Sequence, residues 1–331
     1  MSNSSILVLI PTYNRPKFLQ EGLDSVLCQT HENYRIIISD DSDNEETKNL
    51  IASKYADNPK VSYFYNPEIT NMDDNWRFLK KRIPLDVDYV QWLMDDDLFY
   101  PTKFEIMANY LDDNPGATLV TSLRDGVDIN RNIVRTLKPM YPNPTKVSGK
   151  DLGKKMLITE DNYIGEPTTP LLRRTALDTT DIGWSMDEGE YMVGDFIRWL
   201  DLMDKGEVIL LPEAYSAMRF HFDQDSQQRE TWLRLRFAWL LALRYAWEEK
   251  IFLSSAEDFI EAASNWLKIT LGTLRNLDRE NYQSEKFTIL KKVTLRVREA
   301  LYNGNRLVID DLLFPKGRVV LPKSYLADKK S

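Results

Sequence analysis

The stretch Tyr89-Val90-Gln91-Trp92-Leu93-Met94-Asp95-Asp96-Asp97 constrains this chain more than any other. A mostly apolar run of this length, bounded by polar residues, reads as a buried strand. The three carboxylates fall where that strand leaves its sheet, and open α/β sheets bind ligands outside the carboxyl ends of their strands. Adjacent carboxylates repel one another unless water solvates them or a cation neutralises them. Taken alone, an Asp triplet is as readily a solvated acidic turn, so the rest of the chain has to decide.

Upstream, polar punctuation after an apolar run recurs. Ile6 to Ile10 is wholly apolar and ends in Pro11-Thr12-Tyr13-Asn14-Arg15-Pro16. Asn14 or Arg15 can cap a following helix, and Pro16 suits its first position. Phe18, Leu19, Gly22, Leu23, Val26 and Leu27 then recur at helical spacing. Tyr34 to Ser39 reads as a second strand, ending in Asp40-Asp41-Ser42-Asp43. A helix over about 45–55, a strand over 61–65 and a helix over 75–81 lead to the strand before Asp95. This alternation predicts an α/β fold, a mostly parallel central sheet with helices on both faces. Three candidate ligand loops would then share one edge.

Composition removes several function classes. The 331 residues carry 43 basic and 51 acidic side chains, a net charge of −8, which argues against a nucleic-acid binder. The single cysteine, Cys28, excludes an internal disulfide and any cysteine-based zinc site, and two histidines, His31 and His221, exclude a multi-histidine one. Ile6 to Ile10 is too short and lacks the basic flank of a signal peptide. No apolar stretch has the length of a membrane span. The expectation is a soluble, cytoplasmic protein, with peripheral contact at the inner membrane face left open.

In this order, Val8-Leu-Ile-Pro-Thr-Tyr-Asn-Arg15, Ser25-Val-Leu-Cys-Gln-Thr30, Ile36-Ile-Ile-Ser-Asp-Asp-Ser42 and the Asp95 to Asp97 run resemble glycosyltransferase family 2, including its bacterial spore-coat polysaccharide branch. The resemblance extends through Ile164-Gly-Glu-Pro-Thr168, similar to an acceptor-side strand of bacterial members. Val193-Gly-Asp-Phe-Ile-Arg-Trp199 lies where the family keeps its base, and Arg219-Phe-His-Phe-Asp-Gln-Asp-Ser226 resembles its closing loop. It implies a glycosyltransferase A fold over 1–226 and an inverting transfer from a nucleotide-diphospho-sugar, with a UDP-sugar as the expected donor. The acceptor would be a glycan, a lipid-linked molecule or a protein, in bacterial surface polysaccharide or glycoconjugate assembly. Two features depart from the family pattern. The middle residue of its Asp-X-Asp motif is itself Asp here, and Asp74-Asn75-Trp76-Arg77 replaces the Ala-Arg-Asn run of many members.

On this resemblance Pro11, Thr12, Tyr13, Arg15, Asp41, Asn71, Asp95 and Asp96 form the nucleotide site, with Tyr13 as wall and Asp41 as acceptor for a ring N–H. Without it, Tyr13 is an ordinary packing residue and Asp41 a turn residue. A diphosphate approaching carboxylates requires a divalent cation, Mn²⁺ or Mg²⁺, which prefers oxygen ligands. Asp96, Asp97 and His221 are its candidate ligands. Asp195 is the candidate base; it follows Gly194 and opens a helical run, where the helix dipole favours the ionised form. Glu166 and Glu188 are candidates for the acceptor or sugar side, and Asp187 and Glu190 are rivals nearby in sequence.

Two other readings compete. A sugar-nucleotidyltransferase would want a Gly-rich phosphate loop after the first strand, and Pro11 to Pro16 has no Gly. A catalytically silent nucleotide-sugar-binding scaffold would lack the base or the acidic run, and both are present. Beyond residue 226 the pattern becomes helical. Trp232, Leu235, Trp239, Leu243 and Ala246 form one stripe; Phe259, Ala262, Trp266, Ile269 and Thr273 a second; Phe287, Leu290, Val293, Val297 and Leu301 a third. Ser255 followed by Asp258 signals a helix start. A helical region over 227–331, packed on the first domain, is expected. Arg234, Arg236 and Arg244 among its aromatics leave open a homo-oligomer surface or membrane-surface contact.

Overall fold

The computed structural model describes residues 2–178, 194–221 and 229–302. Strands β1 (Ile6–Thr12), β2 (Tyr34–Asp40), β3 (Val61–Tyr65) and β4 (Tyr89–Trp92) alternate with helices α1 (Pro16–Leu27), α2 (Glu46–Lys54) and α3 (Met72–Lys80). Then come β5 (Leu98–Phe99), α4 (Lys103–Asp112), β6 (Ala117–Val127), β7 (Ile133–Arg135) and β8 (Thr145–Ser148). These are followed by α5 (Gly149–Thr159), β9 (Leu171–Arg173), α6 (Arg174–Asp178), α7 (Gly194–Lys205) and β10 (Glu207–Arg219). Helices α8 (Arg229–Glu248), α9 (Ala256–Arg279) and α10 (Glu285–Tyr302) close the described chain.

The strands form one sheet in the order β3-β2-β1-β4-β9-β6-β10-β5, with β7 on β6 and β8 on β10. β3, β2, β1 and β4 are mutually parallel, as the alternating pattern predicts. The second half is mixed, because β9 runs antiparallel between β4 and β6. Two antiparallel steps leave β6 pointing the same way as β1 and β4, and β10 follows β6. The carboxyl ends of β1, β2, β4, β6 and β10 therefore share one edge.

β1 explains why its sequence is apolar throughout. Ile6, Val8 and Ile10 face one layer of core, together with Leu19 and Leu23 of α1 and Phe104 and Met107 of α4. Leu7 and Leu9 face the other, together with Trp76 of α3 and Phe196, Trp199 and Leu200 of α7. Both faces are covered, so alternation is absent. Pro16 opens α1 as expected, whereas Arg15, at the cap position, makes no capping bond and Asn14 adopts a left-handed backbone. Helix α3 starts earlier than its apolar pattern indicates, since Asn71 accepts from the Asp74 N–H and caps it. Ile164 to Thr168, expected as a strand, is a loop; the strand is β9, just after it. Gly165 there has φ +98°, a backbone that side-chain-bearing residues rarely adopt.

The three C-terminal helices form as their stripes predict, and the Ser255 hydroxyl caps α9 by accepting from the Asp258 N–H. Their apolar core is continuous with that of the sheet's α7 side. The expected boundary at 226/227 falls outside the described residues. Trp232, expected in the α8 stripe, is exposed; Leu233, Phe237 and Leu240 take the buried side instead. Arg234 and Arg236 are buried, so they do not present the charged outer face a membrane-contacting helix would need. Arg236 pairs with Glu160, Arg244 with Glu248, and the Asn265 amide donates to the Ile158 carbonyl.

Candidate active site

The acidic turn after β4 is buried, and its three carboxylates have three different surroundings. Asp95 accepts from the Thr12 hydroxyl at 2.8 Å and from Arg15 Nη1 at 3.3 Å. Asp96 accepts from Arg15 Nη1 at 3.2 Å and faces His221 Nε2 at 2.9 Å, both on its Oδ2. Asp97 accepts from the Thr168 hydroxyl at 2.6 Å on one oxygen and from the Arg219 N–H at 3.0 Å on the other. Thus both oxygens of Asp97 already serve the fold, while Asp96 meets the histidine. Burial, then the neighbouring Asp96 charge, pushes the Asp95 carboxyl up to about 7 and Asp97 well above the ordinary range. Arg15, the cation beside Asp95 and Asp96, offsets only part of this rise for Asp95.

Arg219, at the end of β10, is fully buried and binds the turn twice. Its N–H holds Asp97, and its Nε donates to the Asp96 carbonyl at 2.8 Å. The rest of its guanidinium reaches Glu21 at 2.7 Å and the Ile129 carbonyl at 3.1 Å. The turn is also in backbone contact with α1: a Cβ on Gly22 would stand 3.1 Å from the Asp97 carbonyl and 3.5 Å from that of Asp95.

Where the nucleotide is expected, Pro11 and Thr12 end β1, next to the end of β2. Asp41, buried, accepts from the Asn75 amide at 2.7 Å, and the same amide bonds the Ser39 carbonyl. Tyr13 keeps its ring 39% exposed at the rim while its hydroxyl reaches Asp43 at 3.2 Å. Sequence reading gives Asn75 no role, yet it positions Asp41. Its neighbour Trp76 stacks on Trp92 of β4, ring centroids 4.2 Å apart. The Asn-Trp pair that replaces the usual Ala-Arg-Asn run thus ties the ends of β2 and β4 together. Asn71 is occupied as the cap of α3, so its side chain serves the helix start.

Across the edge, Asp195 stands in the first turn of α7 and accepts from the Phe196 N–H at 2.8 Å. The helix dipole leads one to expect a carboxyl held low. Burial outweighs it and raises Asp195 to about 6; Glu166 adds to the rise and Arg198 opposes it. The charge of Glu166 also raises Asp97, so Glu166 lies close enough to influence both the acidic turn and the base candidate. Glu166 pairs with Arg124 of β6. Glu188, Asp187 and Glu190 lie outside the described residues.

Two anchors of the loop before β9 escape sequence reading. Lys103, a surface residue by type, is fully buried and donates to the Thr169 carbonyl at 2.5 Å; burial pushes its ammonium far below its usual range. Thr168 donates to Asp97 and accepts from the Met94 N–H at 3.1 Å. Both contacts join residues more than 60 positions apart, beyond any local pattern.

A divalent cation fits this donor set. Asp96 Oδ2 and His221 Nε2, 2.9 Å apart, are the oxygen and nitrogen that would face it. The mutually repelling carboxylates would be relieved by further positive charge. Among the described residues no group of three or more His, Cys, Asp or Glu side chains is arranged to hold a metal by itself. Phosphate and water oxygens would have to complete the shell, as is usual for Mg²⁺.

Comparison with known proteins follows the same lines. Residues 7–179 match the family model for glycosyl transferase family 2. An uncharacterized glycosyltransferase of Rickettsia felis is 32% identical over 148 residues, 40% of this chain and 22% of that protein. Protein CgeD of Bacillus subtilis is 29% identical over 130 residues, 38% of this chain and 30% of CgeD. The matched stretch therefore spans about a fifth to a third of these relatives. Residues 1–349 of S. aureus TarS, in a crystal structure with UDP-GlcNAc, share the fold. The TM-score is 0.58 at 15% identity, covering 93% of this chain and 91% of that one.

Proposed function

The chain belongs to glycosyltransferase family 2, and from that premise we propose that it is an inverting glycosyltransferase using a nucleotide-diphospho-sugar, with UDP-sugar as the expected donor. One observation carries the reading. The Asp96–His221 pair lies on the same strand-end edge as Asp41 and Tyr13, and Glu166 lies close enough to both Asp195 and the acidic turn to influence each. Nothing in this arrangement favours the scaffold or nucleotidyltransferase readings.

Tyr13 supplies the wall for the base, Asp41 accepts its ring N–H, and Pro11, Thr12 and Asp95 face the ribose. Arg15, beside Asp95 and Asp96, adds positive charge on the phosphate side. Asp96 and His221 would hold Mn²⁺ or Mg²⁺ together with diphosphate oxygens. When bound, the cation offsets the charge that develops on the leaving diphosphate. Glu166, fixed by Arg124, faces the acceptor or sugar. In a single displacement the acceptor hydroxyl gives its proton to the Asp195 carboxylate as its oxygen attacks the anomeric carbon. The bond from that carbon to the diphosphate oxygen breaks, and the configuration inverts. A carboxyl raised to about 6 is still ionised at neutral pH and is a stronger base than an ordinary one. The TarS structure with UDP-GlcNAc is in keeping with this donor class.

The test is thermal unfolding with UDP, GDP, CDP and dTDP, each with Mn²⁺ and with a chelator. A ligand that binds only the folded state at 100 times its Kd stabilises by about 2.7 kcal/mol. UDP should raise Tm only with Mn²⁺, and Asp96→Ala should abolish the rise. Absence of any nucleotide shift in the presence of metal would overturn the donor-site assignment.

A further inference from the structure

The β6–β7 hairpin is an unusual surface on an acidic protein. β6 runs 11 residues and its last part extends toward the edge that carries the candidate site. β7 returns antiparallel on it, with Gly126 opposite Arg135 and Val127 opposite Ile133. At the end of this projection Ile129, Ile133 and Val134 are each 58% exposed. Ile133 and Val134 are successive residues of β7 and leave opposite faces of the hairpin, and Ile129 lies at its bend, so the projection is apolar on both faces.

The charged residues that follow Ile129 along the hairpin are all of one sign. From Ile129 to Ser148 the sequence contains Arg131, Arg135, Lys138 and Lys146 and no acidic residue, in a chain of net charge −8. Lys146 pairs with Glu207, and Arg131 lies 3.9 Å from Glu21. No carboxylate pairs with the exposed Arg135 or Lys138 among the described residues. Asp128, the nearest acid, is turned into the hairpin bend, where it accepts from the Asn130 and Asn132 N–H groups. Exposed aliphatics flanked by unpaired cations complement a surface that is apolar beneath and negative at its face.

We propose that this hairpin docks the protein on an anionic lipid bilayer, bringing the candidate active-site edge to the membrane surface. The hairpin is joined to the site through Arg219, which bonds both the Ile129 carbonyl and the Asp96 carbonyl. No described helix is long and apolar enough to cross a membrane, so the contact is peripheral. Resting on the transferase reading only for its purpose, this placement makes the acceptor a lipid-linked molecule presented at that surface.

The experiment is co-sedimentation of the full chain with phosphatidylcholine vesicles and with vesicles also containing phosphatidylglycerol, without nucleotide. Binding should require the anionic lipid and weaken with salt. Arg135→Glu with Lys138→Glu should lower the partition coefficient by roughly fivefold or more per basic residue removed. Ile133→Asp with Val134→Asp should lower it comparably. Both variants should keep the Mn²⁺-dependent UDP shift, which separates failure of the hairpin from failure of the donor site. Three outcomes overturn the proposal: no vesicle binding, equal binding by wild type and variants, or a dimer in light scattering that the hairpin variants convert to monomer.

Discussion

β1, β2, β3 and β4 are joined by helices between sequential neighbours and lie parallel in simple register. On the other side of β4 the partners are strands 51 to 92 residues apart, antiparallel and parallel by turns, with register shifts in the β6–β10 pairing. The first half builds the side proposed for the nucleotide by local rules. The second builds the side proposed for the acceptor, and there a few buried polar side chains replace regular connection. Arg219, Lys103 and Thr168 hold loops where the first half has β-α-β units. A site assembled from both should come apart in two distinct ways.

The sharpest separation is expected at Asp195. Asp195→Asn should lower the transfer rate by about 10²- to 10⁴-fold, the usual worth of a general base, with the UDP shift intact. Its Tm at pH 8 should be no lower than that of wild type. The sign follows from the raised carboxyl: its native state binds more protons than the unfolded chain, so stability declines as pH rises from the ordinary Asp value through about 6. Asn removes that cost. Wild-type transfer should show the opposite trend, falling as pH drops through about 6, because the base must be ionised. A transfer rate flat between pH 5 and 8 would remove Asp195 from that role.

Arg219 belongs to both halves. Arg219→Met leaves the Asp96 and Ile129 carbonyls without their donor, while Glu21, about a third exposed, can be solvated; the lost buried hydrogen bonds cost about 1–3 kcal/mol. Denaturant unfolding should report most of that range; a loss below about 1 kcal/mol would mean the clamp is dispensable. Thr168→Val should cost about 1–3 kcal/mol, since Asp97 stays buried with one donor fewer. It should lower transfer while preserving nucleotide binding. The smallest effect belongs to Tyr13→Ala on the donor side. It should weaken UDP by about 1–2 kcal/mol in titration calorimetry, a typical value for base-on-ring stacking, without altering the pH profile of transfer.

The same division decides what can be read from the amino-acid sequence. Ile6 to Ile10, Tyr34 to Ser39 and Tyr89 to Trp92 announce themselves as strands because burial on both faces leaves an apolar run, and polar residues mark their ends. Pro16 and Ser255 mark helix starts by the same local chemistry. Asp41 and Tyr13 stand out because they terminate such strands. Lys103 does not, because a lysine in a first helical turn normally faces water, and only the fold supplies the Thr169 carbonyl. Arg219 lies inside a recognisable stretch, yet its grip on the acidic turn spans 122 positions. Nor does sequence distinguish three consecutive Asp residues. Thr168 and the Arg219 N–H single out Asp97, and His221 singles out Asp96, each from a distant strand or loop.

Gly22 extends this asymmetry in another direction. Helix α1 touches the acidic turn through a side chain it does not have, at a clearance that a methyl group would reduce to 3.1 Å. An inventory of acids, histidine and base would therefore pass a counterfeit: a relative with every one of them in place and a larger residue at this position. Its carboxylates would be displaced by a few tenths of an ångström, with no change in any group that meets a ligand. In a mutational library, inactive sequences of this kind would cluster on a helix face remote from substrate, and the missing methyl would be the reason.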